Sequence, residues 1–327
     1  MQKLYEFLAI KKTEGDIGIE IEVEGDNLPR LENNYWTSVE DNSLRNGREY
    51  IFTKPRPFKF VPKMVNLLNS EFQKANSNLV FSFRTSVHVH VNVQQFTWTQ
   101  VLNFIYTYLL LEEPMMEFCH PVRRANRFCL RLADAEGILS SFSGMFRNTD
   151  HDVVRYIRQN MMRYSALNVE ALLKYGSLEF RALEGNVDTE RISTWCKFIE
   201  KIYNYALKVE SPSHIYDEFI KISPKDFVNI VMEEVAEKLV VDERQMLRSF
   251  SLSIELPFEY KAGAEERDKV KMKVGNKISN EKVRRVLEPR PWDILPAGGL
   301  PAFPDRIRGN VIMDDLAVNV PQIVARF

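Results

Sequence analysis

The chain has 327 residues, 45% of them hydrophobic and 27% charged, with 44 basic residues against 45 acidic ones. That length suits one large core with appendages or two domains, and the composition is that of an ordinary soluble globular protein. A net charge of −1 gives bulk electrostatics no hold on nucleic acid or on a membrane surface, so neither is an expected partner.

At the N-terminus, MQKLYEFLAIKKTEGD has charges too close together for the apolar core of a signal peptide. Strands are predicted at residues 16–24, 35–40, 48–53, 80–94 and 176–183 from their period-2 alternation and their β-branched and aromatic content. Helices are predicted at 62–75, which starts at Pro62, and at 98–112, which follows the capping box Thr97-Trp-Thr-Gln100. Two more are predicted at 189–208, with Asp188 as N-cap and an apolar stripe of Ile192, Trp195, Ile199 and Ile202, and at 225–240 after Ser223-Pro224. The longest apolar run, Tyr106 to Leu111, stops at Glu112, far short of a membrane span.

The mixture lacks a βαβ rhythm and reads as α+β. Beyond about residue 270 the prolines 289, 291, 296, 301 and 304, with Gly298 and Gly299, interrupt any regular element. Residues 1–212 are therefore expected to form the core, 213–270 a helical region, and 271–327 an extended Pro-rich tail. Such a tail could bind a partner protein, swap onto a second copy of the chain, or cover the protein's own helices. Three cysteines, 119, 129 and 196, lack CxxC spacing and fit small buried hydrophobes in a reducing compartment. The expected location is cytoplasmic.

Residues two apart on a strand share a face. Glu20, Glu22 and Glu24 therefore lie opposite Ile19, Ile21 and Val23. His88, His90 and Asn92 lie opposite Val87, Val89, Val91 and Val93, and Glu179 and Arg181 lie opposite Leu178, Phe180 and Ala182. A solvated sheet face accounts for any one of these strands. The set is harder to explain so, because none of the polar faces carries lysine. Glu-x-Glu also holds two carboxylates about 7 Å apart on one face, where like charges repel unless something neutralises them. A divalent cation does so economically, and carboxylates with imidazole suit Mg²⁺ or Mn²⁺ better than structural Zn²⁺.

Glu49 leaves a polar turn in which Asp41 and Ser43 read as turn formers. No GxxxxGK[ST] or GxGxxG occurs, so any nucleotide phosphates must be held by metals and arginines. Arginine is plentiful where that would help: nine lie between 123 and 181, against a single lysine, Lys174. Its planar fork matches carboxylate and phosphate, although a surface that prefers arginine is an equal reading for any one of them.

Taken in order, Gly18-Ile-Glu20-Ile-Glu22, Asp41-x-Ser-Leu, Gly47-x-Glu49, His88-Val-His90-Val, Arg163-Tyr164 with Asn168, Glu179-Phe-Arg181 and Asp188 resemble the amidoligase family, which is grouped with glutamine synthetase and glutamate–cysteine ligase. The resemblance spans residues 15 to about 205. It implies a curved antiparallel, glutamine-synthetase-like sheet with helices on its convex face and ATP with divalent metals on its concave face. By the same resemblance Glu20, Glu22, Glu49, His88 and Glu179 are metal ligands. His90, Arg163 and Arg84 contact the cofactor, and Arg181 with Glu179 is catalytic. Where many relatives place glycine just before the first histidine, this chain has Ser86-Val87.

The implied reaction joins a small-molecule or peptide carboxylate to an amine through an acyl phosphate made from ATP. Glu24 and Glu184 are available as the base that takes the amine proton. Two rivals stay open at this point: a metal-dependent amide hydrolase, and a non-catalytic scaffold or virion-associated protein that retains the fold.

Overall fold

The apolar halves of the alternating strands dictate the architecture. In the computed structural model, which describes residues 2–124, 126–148, 152–158 and 162–275, they form one side of a seven-stranded sheet. The strands are β1 (Ile17–Asp26), β2 (Trp36–Glu40), β3 (Gly47–Phe52), β4 (Asn78–Val80), β5 (Ser86–Asn92), β6 (Leu167–Asn168) and β7 (Ser177–Glu184). Their order is β2-β3-β1-β5-β7-β6, with β4 added beside the end of β1, and every pairing is antiparallel. The α+β reading stands.

Helices pack on the apolar face and on one another. They are α1 (Leu4–Phe7), α2 (Val61–Lys74), α3 (Trp98–Phe118), α4 (Glu136–Arg147), α5 (Val153–Ile157), α6 (Ala171–Tyr175), α7 (Thr189–Lys208), α8 (Pro212–Phe219), α9 (Pro224–Met232), α10 (Glu243–Ser253) and α11 (Leu256–Gly275). Ile19, Ile21, Val23, Val87, Val89, Val91, Leu178 and Phe180 are all buried. Phe180 meets the rings of Phe104 and Tyr108 from α3, and Tyr50 meets Phe72 from α2. Each such side chain contributes about 1.5–3 kcal/mol of burial. The predicted stripe of α7 is buried throughout, and Asp188 caps that helix through Glu190 N and Arg191 N. The three cysteines are buried and unpaired. Among the described residues no helix is long and apolar enough to cross a membrane.

Three predicted elements need correction. The strand expected at 80–94 is two strands separated by a turn. Thr85 N and Oγ1 donate to Ser82 O, and Ser82 N donates back to Thr85 Oγ1 at 3.0 Å. These local bonds compete with a strand ladder. The helix expected to stop at 112 runs to Phe118 with Pro114 inside it, because Glu112 and Glu113 are buried against donors from the following loop rather than solvated. The helix expected at 225–240 ends at Met232. Glu233 then takes a φ of 49°, and a 3-10 turn follows over Glu233–Lys238. Buried Lys201 reaches both Glu233 and Glu234 at 2.5 Å there.

α11 continues past the boundary placed near 270, to Gly275. The rest of the Pro-rich tail, 276–327, lies outside the described residues.

Candidate active site

Antiparallel pairing sets residues directly opposite one another on the same face, so the register assembles the site. Glu22 faces Glu49 across β1 and β3, and Glu20 faces His88 across β1 and β5. His90 faces Glu179 across β5 and β7, and Glu179 faces Asn168 across β7 and β6. A bulge lies between these pairs: Val87 faces Leu183 but Val89 faces Phe180, so Arg181 and Ala182 together stand against His88 alone. The extra residue brings Leu183 back to the core and Glu184 to the face of Glu179, although the two glutamates are five residues apart.

The polar atoms then converge. His88 Nδ1 lies 3.3 Å from Glu20 Oε2 and 3.6 Å from Glu179 Oε1, and His90 Nε2 lies 3.3 Å from Glu20 Oε1. Two groups of donor atoms fall within 4.8 Å of one another: Glu20, Glu49 and His88, and Glu20, His90 and Glu179. Glu20 belongs to both. Glu22 shares the face, but its Oε2 accepts a hydrogen bond from Ser86 Oγ, and it joins neither group.

The electrostatics follow from this crowding. Burial pushes the Glu20 carboxyl up, but its pairing with the imidazoles of His88 and His90 outweighs burial and holds it well below the ordinary range. Glu49 is pushed well above that range, first by burial and then by Glu20, Glu22 and Asp41. Burial opposes the charged form of Glu179, yet Arg181, then His90 and His88, bring its pKa down. His90 loses by burial and gains more from Glu20 and Glu179, so its pKa is raised.

Oxygen and imidazole donors without a thiolate fit Mg²⁺ or Mn²⁺. His90 Nε2 strengthens the fit. It is a buried atom 3.3 Å from Glu20 Oε1 but not in hydrogen-bond geometry with it, an arrangement that a cation held by both would suit.

Around this cluster lies a supporting set that the alternation of residues cannot announce. Asn168 Nδ2 donates to Glu179 Oε2 at 2.6 Å, and Arg181 Nη1 pairs with Glu179 Oε1. Arg123 is buried, with its guanidinium on the carbonyls of Arg181 (2.7 Å) and Ala182 (3.3 Å), and so holds the bulge. Ser86 Oγ lies 2.8 Å from His88 Nε2. Arg123 is one of the nine arginines noted above, and Asn168 lay within the motif order, but neither carried an assigned role. Ser86 stood out only as a departure from the family pattern.

The other expected residues lie around this centre. Arg84 Nη1 donates to Ser43 O at 2.8 Å and its guanidinium covers the Phe83 ring, which ties the 81–85 turn to the Asp41–Ser43 turn. Asp41 Oδ1 accepts from Ser43 N, the turn-forming bond expected of it. Arg163 is exposed over the Tyr164 ring and makes none of the contacts described for the cluster. Glu24 is buried and accepts from Arg45 N at 2.7 Å. Glu184 is engaged on both oxygens, by Arg191 and by His120 N. A recess of about 620 Å³ lies beyond the Glu24 end of β1, with Asp26, Glu40, Asp41 and Arg48 in its walls.

Residues 53–203 match the family model described as "Putative amidoligase enzyme". No curated protein matches the chain. The match takes in His88, His90, Glu179 and Arg181 but begins after Glu20, Glu22 and Glu49. Sheet register, rather than the match, joins those three carboxylates to the others.

Proposed function

We propose, from the premise that residues 53–203 belong to the amidoligase family, that the chain is an ATP-dependent carboxylate–amine ligase on a glutamine-synthetase-like sheet. The observation that carries this reading is the convergence of two donor groups on Glu20, with Arg181 beside Glu179 on β7. Glu20, Glu49 and His88 would hold one Mg²⁺ or Mn²⁺, and Glu20, His90 and Glu179 a second, with Glu22 close enough to join when a cation draws it. Bound there, the cations supply positive charge against the phosphates of ATP and the transferring phosphoryl group.

The substrate's carboxylate oxygen bonds to the γ-phosphorus of ATP as the bond to the ADP oxygen breaks, giving an acyl phosphate. The amine nitrogen then bonds to the acyl carbon, loses a proton, and displaces phosphate, leaving an amide or isopeptide bond. Arg181 is the residue assigned to the charge that develops on the phosphoryl group, and its pairing with Glu179 holds the fork in place. Arg84 and Arg163 are retained as phosphate contacts, whereas His90, expected in that role, is assigned to the second donor group instead. Of the two carboxylates considered for the base, Glu184 is held on both oxygens by Arg191 and His120 N and Glu24 on one by Arg45 N, so Glu24 is the one kept for the role. The substrates in this reading are a small-molecule or peptide carboxylate and an amine, in a cytoplasmic setting.

A site bridged by metal predicts that ATP raises the melting temperature only when Mg²⁺ or Mn²⁺ is present. Stabilisation by ATP that persists in chelator would falsify the bridged site. Amide cleavage without ATP would establish the hydrolase instead.

A further inference from the structure

A histidine can offer a lone pair to a cation from only one ring nitrogen, and what the other nitrogen touches decides which one. His88 is buried. Its Nδ1 faces the centre of the cluster, 3.3 Å from Glu20 Oε2 and 3.6 Å from Glu179 Oε1. Its Nε2 lies 2.8 Å from Ser86 Oγ and 4.0 Å from Glu22 Oε1. Ser86 is itself buried, at 3% exposure.

The hydroxyl of serine has a single proton to donate. Ser86 donates it to Glu22 Oε2 at 2.6 Å, so its contact with His88 Nε2 must run the other way, with Nε2–H donating to the Ser86 oxygen. Without a cation Nδ1 can also carry a proton toward Glu20 Oε2. A neutral ring protonated at Nε2, the state a cation selects, keeps its lone pair on Nδ1, beside the carboxylates of Glu20 and Glu179. Nδ1 and Glu20 Oε2 then point at one place, in the donor group that Glu49 completes, while Arg181 already neutralises Glu179 Oε1 beside them. That arrangement is unfavourable by itself and favourable around a cation.

We infer that Ser86 is a positioning residue. Through the chain Glu22–Ser86–His88 it fixes the ring and proton placement of His88 so that Nδ1 is presented to the metal. The inference rests on the metal-site reading above and adds to it a residue outside both donor groups. Alanine at this position would leave His88 Nε2 without its buried acceptor and Glu22 without its donor. Threonine keeps the hydroxyl and suits a strand.

The test is Mn²⁺ titration of the full chain by calorimetry, beside long-range ¹H–¹⁵N spectra of the histidines in Mg²⁺. Ser86→Ala should bind Mn²⁺ about 10–100-fold more weakly, Ser86→Thr should recover affinity to within about threefold, and His88 in the unmutated chain should carry its proton on Nε2. Ser86→Ala that is folded and binds as tightly as the unmutated chain overturns the inference, as does Ser86→Thr that is folded yet as weak as alanine. The spectrum alone can also overturn it, without any variant, if the His88 proton is found on Nδ1. Failure of the unmutated chain to bind Mn²⁺ removes the metal site itself, whereas the other adverse results leave that site standing and remove only the role of Ser86.

Discussion

On the open face of the sheet, Glu20, Glu22, Glu49 and Glu179 crowd together with two histidines. At the far end of α3, Glu112 and Glu113 are just as well buried. The second group is provided for within the chain. Glu112 accepts from Leu132 N at 2.9 Å and from Tyr108 Oη at 3.3 Å, while Arg131 reaches both Glu113 (3.1 Å) and Asp134 (3.1 Å). The first group is provided for only in part: Asn168 and Arg181 serve Glu179, and Ser86 serves Glu22. Glu49, however, stands against Glu20 and Glu22 with its pKa pushed up by burial and by them, and His90 Nε2 lies out of hydrogen-bond geometry. Burial of an acid is therefore a poor mark of function. A surplus of acceptors over available donors is a better one.

The contrast breaks most visibly at Glu20. Because Glu20 serves both donor groups, Glu20→Gln should weaken Mn²⁺ binding by about 100-fold or more, while Glu112→Gln should leave it unchanged. Calorimetric titration of both variants decides this, and equal losses would erase the distinction between the two regions. Arg181 gives the next largest effect. Lysine keeps the charge but loses the fork that meets Glu179, so Arg181→Lys should bind ATP with near-normal affinity yet turn over about 100-fold more slowly. Near-normal ligation by that variant would make Arg181 a structural partner of Glu179.

The smallest effect sharpens the other side of the comparison. Burial pushes the Glu112 carboxyl up to about 8 from an ordinary 4.5. Between those values the folded chain holds a proton that the unfolded chain has released. The stability this group contributes is thus complete below about pH 4.5 and is lost as pH rises through about 8, at up to about 1.4 kcal/mol per pH unit. Urea denaturation from pH 5 to 8 should show a steeper decline for the unmutated chain than for Glu112→Gln. Parallel curves would mean that Glu112 is ionised in the folded state.

The polar and apolar faces of β1, β5 and β7 were legible because alternation is a local property of the chain. The register that sets His90 against Glu179 was not, since strand pairing between residues so far apart leaves no local trace. Two-residue β6 is too short to show any period, so the support that Asn168 gives Glu179 was visible only as a motif letter. The bulge at Arg181-Ala182 and the buried Arg123 beneath it are likewise products of tertiary packing. Glu112 misled for a related reason. A charge at the end of an apolar run reads as a helix end in water, and its donors come from residue 132.

The strand order also sets a sequence of events in time. β1, β3 and β5 neighbour one another in the sheet and all lie before residue 93, so Glu20, Glu49 and His88 can meet through comparatively short loops. Glu179 arrives only after residues 93–176 have been made and folded back through α3 to α6, and contacts that close such long loops form slowly. A chain emerging from the ribosome would then expose a half-built sheet, with His88 and His90 on its unpaired edge at β5, until β7 docks. In refolding, the step that completes the second donor group, Glu20, His90 and Glu179, should coincide with the final closure of the sheet.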